Sequence, residues 1–269
     1  MKNVTHSSTL FLVFWLVGGL LLAFILVPLF GLATNQTPES IHRVMVMSDV
    51  QKAIILTLEA AFITSLIAQL LGVPLAYVLS RARFPGLKIL EAIVDIPLTI
   101  PHTVVGIALL ISFGRNGVIG APVLHWTGIS FWSSFAGVVL CMLFVSIPYT
   151  VNAARIGFDN VDLRIEKVAR TLGAGPWRVF IRITLPLVWR SLMTGFNLTL
   201  ARSMSEFGSI VILAYYPETA PVKIYDLFLQ FGLSDSSAMS LIILVLTLFI
   251  FIFFRYFLFG RNASSGFER

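Results

Sequence analysis

The sequence predicts an all-α, polytopic membrane protein with six transmembrane helices. Of its 269 residues, 57% are hydrophobic and only 12% charged, and the mean hydropathy is +0.91. Uninterrupted apolar runs recur along the chain, each long enough for the roughly 20 residues that one helical crossing of the hydrocarbon core requires. In lipid every backbone polar group must be satisfied internally, so only helices and closed barrels span it. Barrel strands would appear as short alternating segments instead.

The runs lie at 10–33, 53–79, 89–113, 132–154, 191–214 and 237–259. The first follows Met1-Lys2-Asn3 and exceeds the apolar core of a signal peptide, so it reads as a retained crossing; the small residues Gly31-Leu32-Ala33 keep a cleaved signal as the alternative. Thr37-Pro38-Glu39-Ser40, with the mixed stretch to Met47, predicts a short interfacial helix, and Ser48-Asp49 offers an N-cap for the second crossing. Pro97 and Pro101 remove two backbone donors and bend the third crossing. The segment 114–132 is a Gly-rich loop with Pro122, Trp126 and Trp132, whose rings suit the headgroup level. The one cysteine, Cys141, lies in the fourth run and reads as a packing residue. No internal repeat is evident, so residues 1–269 read as a single transmembrane domain with a disordered polar tail at about 260–269.

An even number of crossings puts both termini on one side, and basic residues choose the side. Lys2, then Arg81, Arg83 and Lys88, then seven basic residues from Arg155 to Arg190, then Arg255, Arg261 and Arg269 all fall on one face. By the positive-inside rule that face is cytoplasmic, as are both termini. The net charge of +6 therefore reports topology and lipid contact; no basic patch interleaved with aromatics suggests nucleic acid.

A chain so sparing with loops spends about 40 residues on the basic segment 151–190. Within it Glu166, Ala169 and Gly173 recur at i, i+3 and i+7, one face of a helix. Ala174-Gly175-Pro176 then breaks that helix and starts another ending near Ile183-Thr184-Leu185-Pro186. Two short helices lying across the cytoplasmic mouth are expected.

This pattern resembles the coupling loop of ATP-binding-cassette importer permeases: Glu-Ala-Ala, three residues, Gly, nine residues, Ile, one residue, Leu-Pro. Ala169, Gly173, Ile183, Leu185 and Pro186 match at that spacing, whereas Lys167-Val168 stand where Glu-Ala is expected and Glu166 comes one residue early. A second resemblance, to molybdate and tungstate permeases, rests on 202–209 (Arg-Ser-Met-Ser-Glu-Phe-Gly-Ser), on Ile212 through Tyr215-Tyr216-Pro217 to Pro221 and Tyr225, and on 95–108 with Pro97, Thr99, Pro101, His102 and Thr103. Sulfate permeases share part of it, so another oxyanion is the alternative substrate.

The resemblance implies a type I importer permease fold and a set of partners: a second copy of the chain, two ATPase subunits and an extracytoplasmic oxyanion-binding protein. It assigns coupling to Glu166, Ala169, Arg170, Gly173, Ala174, Pro176, Ile183, Leu185 and Pro186, with Arg164, Arg178 and Arg182 on the rim. ATP and magnesium would belong to the partner ATPase, since no phosphate-cradling Gly-x-x-x-x-Gly-Lys followed by Ser or Thr occurs here. Tyr215, Tyr216, Pro217, Pro221 and Tyr225 are expected to meet the binding protein.

The candidate pathway residues are Pro97, Thr99, Pro101, His102, Thr103, Asn197, Arg202, Ser205 and Glu206. For His102, Asn197, Ser203, Ser205 and Ser209, lumen lining and interhelical hydrogen bonding both stand. Arg202 and Glu206, four apart, fit either a structural ion pair or pathway electrostatics. Neither a metal-spaced cluster nor a nucleophile–base pair appears, so no covalent chemistry is expected of the chain. The rival from another class is an ATP-independent secondary transporter or channel, which explains six crossings but not the long loop.

Overall fold

The computed structural model describes residues 8–259; the expected tail at 260–269 lies outside them. Among the described residues every regular element is helical. α1 (Ser8–Thr34) is an apolar rod exposed along its length that leans mainly on the last helix. α2 (Pro38–Val46) is the expected interfacial helix, closed by a reciprocal capping box between Thr37 and Ser40. α3 (Ser48–Arg81) follows directly. Its N-cap is Met47, with no side-chain bond, so the predicted Ser48-Asp49 cap does not form: α2 ends too close for Ser48 to stay outside the helix.

The third crossing is broken, not merely bent. α4 (Leu87–Thr99) and α5 (His102–Phe113) meet at 110°. The residue before a proline is driven out of the helical region, and Ile100 before Pro101 is extended at φ −82°, ψ 135°. α6 (Gly120–Thr127) caps the far end of α5. α7 (Phe135–Asp159) is a full crossing that extends past its apolar run into the basic segment.

In that segment α8 (Leu163–Thr171) is the first expected short helix. The second does not end near Pro186. α9 (Pro176–Val179), a π turn at Phe180–Thr184 and α10 (Leu185–Met204) form one continuous helix of 29 residues. Pro186 lacks the N–H that would bond the Arg182 carbonyl; the ladder widens to i→i−5 just before it, Leu185 N–H donating to the Phe180 carbonyl, and the helix survives the proline.

The fifth crossing stops early in turn. α10 ends at Met204, Ser205–Gly208 is non-helical, and only the single turn α11 (Ile210–Leu213) follows. α12 (Ala220–Phe231) takes up the stretch through Tyr225, with Pro221 in its first turn. α13 (Leu233–Phe259) is the last crossing.

α3, α7 and α10 pack side by side at the centre. Lipid tails are as apolar as leucine, so association here depends on close contact and interhelical hydrogen bonds. Both are present. A Cβ on Gly157 would lie 2.5 Å from that of Ser191. Ser203 donates to Ser146 at 3.0 Å, and Thr150 and Thr199 share a bond of 2.7 Å. Ala60, Val138, Met142, Met204 and Ile210 form the central core; Ala154, Phe158 and Val188 form a second at the basic end. α2, α12 and α13 enclose a third, around Val44, Ala220 and Met239, at the opposite end.

Candidate functional site

At the basic end Glu166 does not point away from the chain. It is buried, and its Oε1 accepts from Arg81 Nη2 at 2.8 Å and from Thr184 Oγ1 at 3.2 Å. Arg81 also donates to the Phe158 carbonyl at 3.0 Å. The carboxylate thus ties α8 to the ends of α3 and α7 and to the π turn. Ala169, one turn on, is half-buried. Sequence reasoning missed Arg81, because nothing local signals a partner 85 residues away.

What α8 shows outward is apolar. Ile165, Val168 and Leu172, at i, i+3 and i+7, are 45%, 57% and 83% exposed, and Trp177 is 74% exposed beside them. A helix that turns its acid inward and its apolar stripe outward presents a surface suited to contact with protein or lipid. Arg170, Pro176 and Pro186 are exposed around it, while Ala174, Ile183 and Leu185 are half-buried. Gly173 closes α8. At φ +86° it is in the left-handed region, and Gly173 N–H to Arg170 O and Ala174 N–H to Ala169 O, both 3.0 Å, complete a Schellman motif.

At mid-depth the two breaks meet. A Cβ on Gly208 would lie 2.7 Å from that of His102, and one on Gly106 would lie 2.9 Å from that of Ile212, so the start of α5 crosses the α10–α11 break at backbone contact. Glu206, 1% exposed, is fully engaged. Its Oε2 takes Arg202 Nη2 at 2.8 Å, with His102 Nδ1 at 3.5 Å; its Oε1 takes Ser209 N–H and Oγ at 3.0 and 2.9 Å. Arg202 Nη2 also lies 2.9 Å from His102 Nε2, and its Nη1 donates to Ser205 Oγ at 3.2 Å.

The structure thus gathers His102, Arg202, Ser205 and Glu206 into one cluster, with His102 and Ser205 on its open side. Thr99 and Thr103 are exposed nearby in sequence, Pro101 is exposed, and Pro97 is buried. Asn197 is elsewhere: buried, its Nδ2 donating to the Phe251 carbonyl at 3.4 Å on α13, it packs helices and does not join the cluster. Ser203 and Ser209 are likewise consumed by interhelical and local bonds.

At the opposite end Tyr215 is pinned, its hydroxyl donating to Asp226, which holds the phenol above its usual range. Tyr216 and Tyr225 are exposed, and Glu218 beside Tyr216 raises that phenol too. Pro217 and Pro221 are half-buried. Lys223, 8% exposed, bridges Asp49 at 2.5 Å and Glu218 at 3.3 Å. Burial alone would lower its pKa, but the two carboxylates outweigh that and leave it raised. Thr57 Oγ1 accepts the Ala220 N–H at 2.7 Å, so α12 is fastened to α3 at two points.

Comparison with known proteins identifies this architecture. Residues 68–262 match the family described as binding-protein-dependent transport system inner membrane component. The chain is 43% identical to the molybdate/tungstate transport system permease protein WtpB of Thermococcus kodakarensis, over 96% of this chain and 99% of that one. It is 39% identical to the molybdenum transport system permease protein ModB of Escherichia coli, over 68% and 82% respectively. Among solved structures it superposes on a chain of a bacterial alginate ABC transporter with a TM-score of 0.72 at 19% identity, covering 93% of this chain and 96% of that one. A chain of the MetNI methionine ABC transporter gives 0.61 at 14%, covering 78% and 94%. These two likenesses carry the fold alone. With its helical membrane-spanning architecture and a family match over most of its length, the chain belongs to the inner membrane components of binding-protein-dependent transport systems.

Proposed function

We propose that this chain is the membrane-spanning permease of an ATP-driven importer that carries molybdate or tungstate across the cytoplasmic membrane. The observation that carries the substrate is its 43% identity, end to end, with a molybdate/tungstate permease. Both termini and the 151–190 segment are cytoplasmic in this reading, which the distribution of basic residues supports. The pathway forms between this chain and a second copy of itself. Two ATPase subunits bind below, holding ATP and magnesium, and a binding protein delivers the oxyanion above.

The outward stripe of Ile165, Val168, Leu172 and Trp177 is the docking face for the ATPase, framed by Arg164, Arg170, Arg178 and Arg182. Glu166 positions that face without touching the partner. Ala169, Gly173, Ala174 and Pro176 shape the turn that presents it, and Ile183, Leu185 and Pro186 continue it into α10. Closure of the ATPase then moves α10, and with it Arg202, Ser205 and Glu206 against His102. On the outer face Tyr216 and Tyr225, supported by Tyr215, Pro217 and Pro221, receive the binding protein.

The test is uptake of labelled molybdate, tungstate and sulfate by proteoliposomes containing this chain, its ATPase and its binding protein. Uptake of molybdate or tungstate dependent on all three supports the reading. Uptake without the ATPase overturns the coupling, and coupled ATP hydrolysis with sulfate preferred overturns the substrate.

A further inference from the structure

An open groove of about 630 Å³ lies between α3, α10 and the C-terminal end of α13. α3 lines it with Phe62, Leu66, Leu70 and Pro74, four residues apart and so on one face, and α10 with Leu185 and Trp189. No lining side chain is charged, and the one amide among them, Gln69, donates from Nε2 to the Leu192 carbonyl at 2.8 Å. The groove therefore presents hydrocarbon almost throughout. Phe62 to Pro74 covers about 18 Å along α3, against about 15 Å for the hydrocarbon of one leaflet. Spread over that length, the volume gives a cross-section of roughly 35 Å². A helix 10–12 Å across fills roughly 80 Å² or more, so the groove admits an extended hydrocarbon chain and is too narrow for a helix.

A row of cations runs beside it. Along the continuous helix of α9, the π turn and α10, Arg178, Arg182 and Arg190 recur at i, i+4 and i+12, all exposed. Arg182 lies between the lining residues Phe180 and Leu185, and Arg190 follows the lining residue Trp189. Trp189 is 55% exposed, an indole where the apolar groove meets the basic row, the place tryptophans take at a membrane–water interface. An apolar channel about one leaflet deep with cations at its mouth is complementary to a molecule with a hydrocarbon tail and an anionic head.

We propose that this groove is a binding site for an anionic phospholipid of the leaflet on the basic side. One acyl chain lies against Phe62, Leu66 and Leu70, and the phosphate meets Arg182, whose planar fork bonds two oxygens at once. Arg178 and Arg190 strengthen the positive field around the headgroup. Because Phe180 and Leu185 stand on either side of the π turn and both line the groove, the bound chain braces that turn from the lipid side. The site is independent of what the chain transports.

The test places the full chain in phosphatidylcholine vesicles in which a fixed share of lipid is replaced by phosphatidylcholine or phosphatidylglycerol brominated in the acyl chains. Bromine quenches a nearby indole, and the Trp189 share of the signal is the difference between wild type and Trp189→Phe. At equal content, brominated phosphatidylglycerol should quench Trp189 several-fold more than brominated phosphatidylcholine. Arg182→Gln should at least halve that preference, and Arg182→Lys should keep most of it. Thermal unfolding in detergent gives a second reading: phosphatidylglycerol should raise the melting temperature of the wild type more than phosphatidylcholine does, and by less in Arg182→Gln. Both measurements read lipid contact and not uptake, so a loss of ATPase docking in Arg182→Gln does not mimic the result. Equal quenching by the two lipids reduces the groove to ordinary lipid-facing surface and overturns the site. Quenching by neither shows it covered by protein, such as a second copy of the chain, and overturns it too.

Discussion

Glu166 near the start of α8 and Arg81 at the last residue of α3 form a 2.8 Å ion pair, 15% exposed on the arginine side and 6% on the carboxylate side. Removing one partner of a buried pair strands the other, at a cost of several kcal/mol; with Arg81 keeping its bond to the Phe158 carbonyl, Glu166→Ala should destabilise by about 3 kcal/mol. Thermal unfolding in detergent measures this. Glu166→Ala should also free α8 from α3, raising proteolytic cleavage within 163–175 and lowering uptake relative to ATP hydrolysis.

Gly173 ends α8 with a backbone that side chains resist. Gly173→Ala should cost about 1 to 2 kcal/mol and Gly173→Asn less, since Asn tolerates the left-handed region better. Nothing lies within 4 Å of the position a Cβ would take, so Gly173→Trp adds an indole at the surface beside the proposed docking face. It should insert into membranes normally and abolish ATP-coupled uptake. Binding of the ATPase to the purified variant reads this directly.

Close backbone approach at the crossed breaks leaves no space for a methyl group. Gly106→Ala places a Cβ 2.9 Å from that of Ile212 and 3.0 Å from the Ser209 Cα, an overpacking expected to cost roughly 1 to 3 kcal/mol. Melting temperature against that of Gly31→Ala, where a Cβ meets nothing within 4 Å, isolates the effect of contact from that of substituting glycine in a helix.

Glu206 neutralises Arg202 where water is scarce. Glu206→Gln preserves the shape but leaves the guanidinium uncompensated, and should destabilise by about 3 kcal/mol or more. The double variant Glu206→Gln with Arg202→Met should recover much of that loss. A double-mutant cycle on unfolding free energies measures the coupling, and additivity of the two changes would sink the pairing.

Lys223 has a pH signature. Because its two carboxylate partners leave its pKa raised above the ordinary lysine value of 10.5, its contribution is complete below that value and is lost as pH rises through the higher folded one. The stability difference between wild type and Lys223→Met should therefore be constant across neutral pH and shrink only above about 10.5. Unfolding followed from pH 7 upward checks the sign.

Hydropathy made the crossings legible because it is a local sum, and α3, α7 and α13 need nothing else. Pro97 and Pro101 announced a disturbance, but its 110° size depends on Ile100 being extended and on Gly208 and Gly106 admitting α5 against α10–α11. The break at 205–208 was less visible: Ser203, Ser205, Glu206, Gly208 and Ser209 lower the hydropathy there, but the flanking Leu198-Thr199-Leu200-Ala201 and Ile210-Val211-Ile212 still read as one crossing. In the basic segment the spacing of Ala169, Gly173 and Pro186 was readable, yet the inward turn of Glu166 was not, since Arg81 and Thr184 reach it through the tertiary fold. Asn197 shows the same limit: its polarity left lumen lining and interhelical bonding both open, and the second is what its bond to the Phe251 carbonyl on α13 makes.

The unbroken helix from Pro176 to Met204 has a mechanical consequence. Its 29 residues make a shaft about 43 Å long, with its foot beside Trp177 and its tip two residues past Arg202. Its one irregularity, the π turn at Phe180–Thr184 with Pro186, lies near the foot, so tilting the shaft beyond it by a few degrees sweeps its tip through several ångströms, and the bond between Arg202 and His102 lies at the end of the swing.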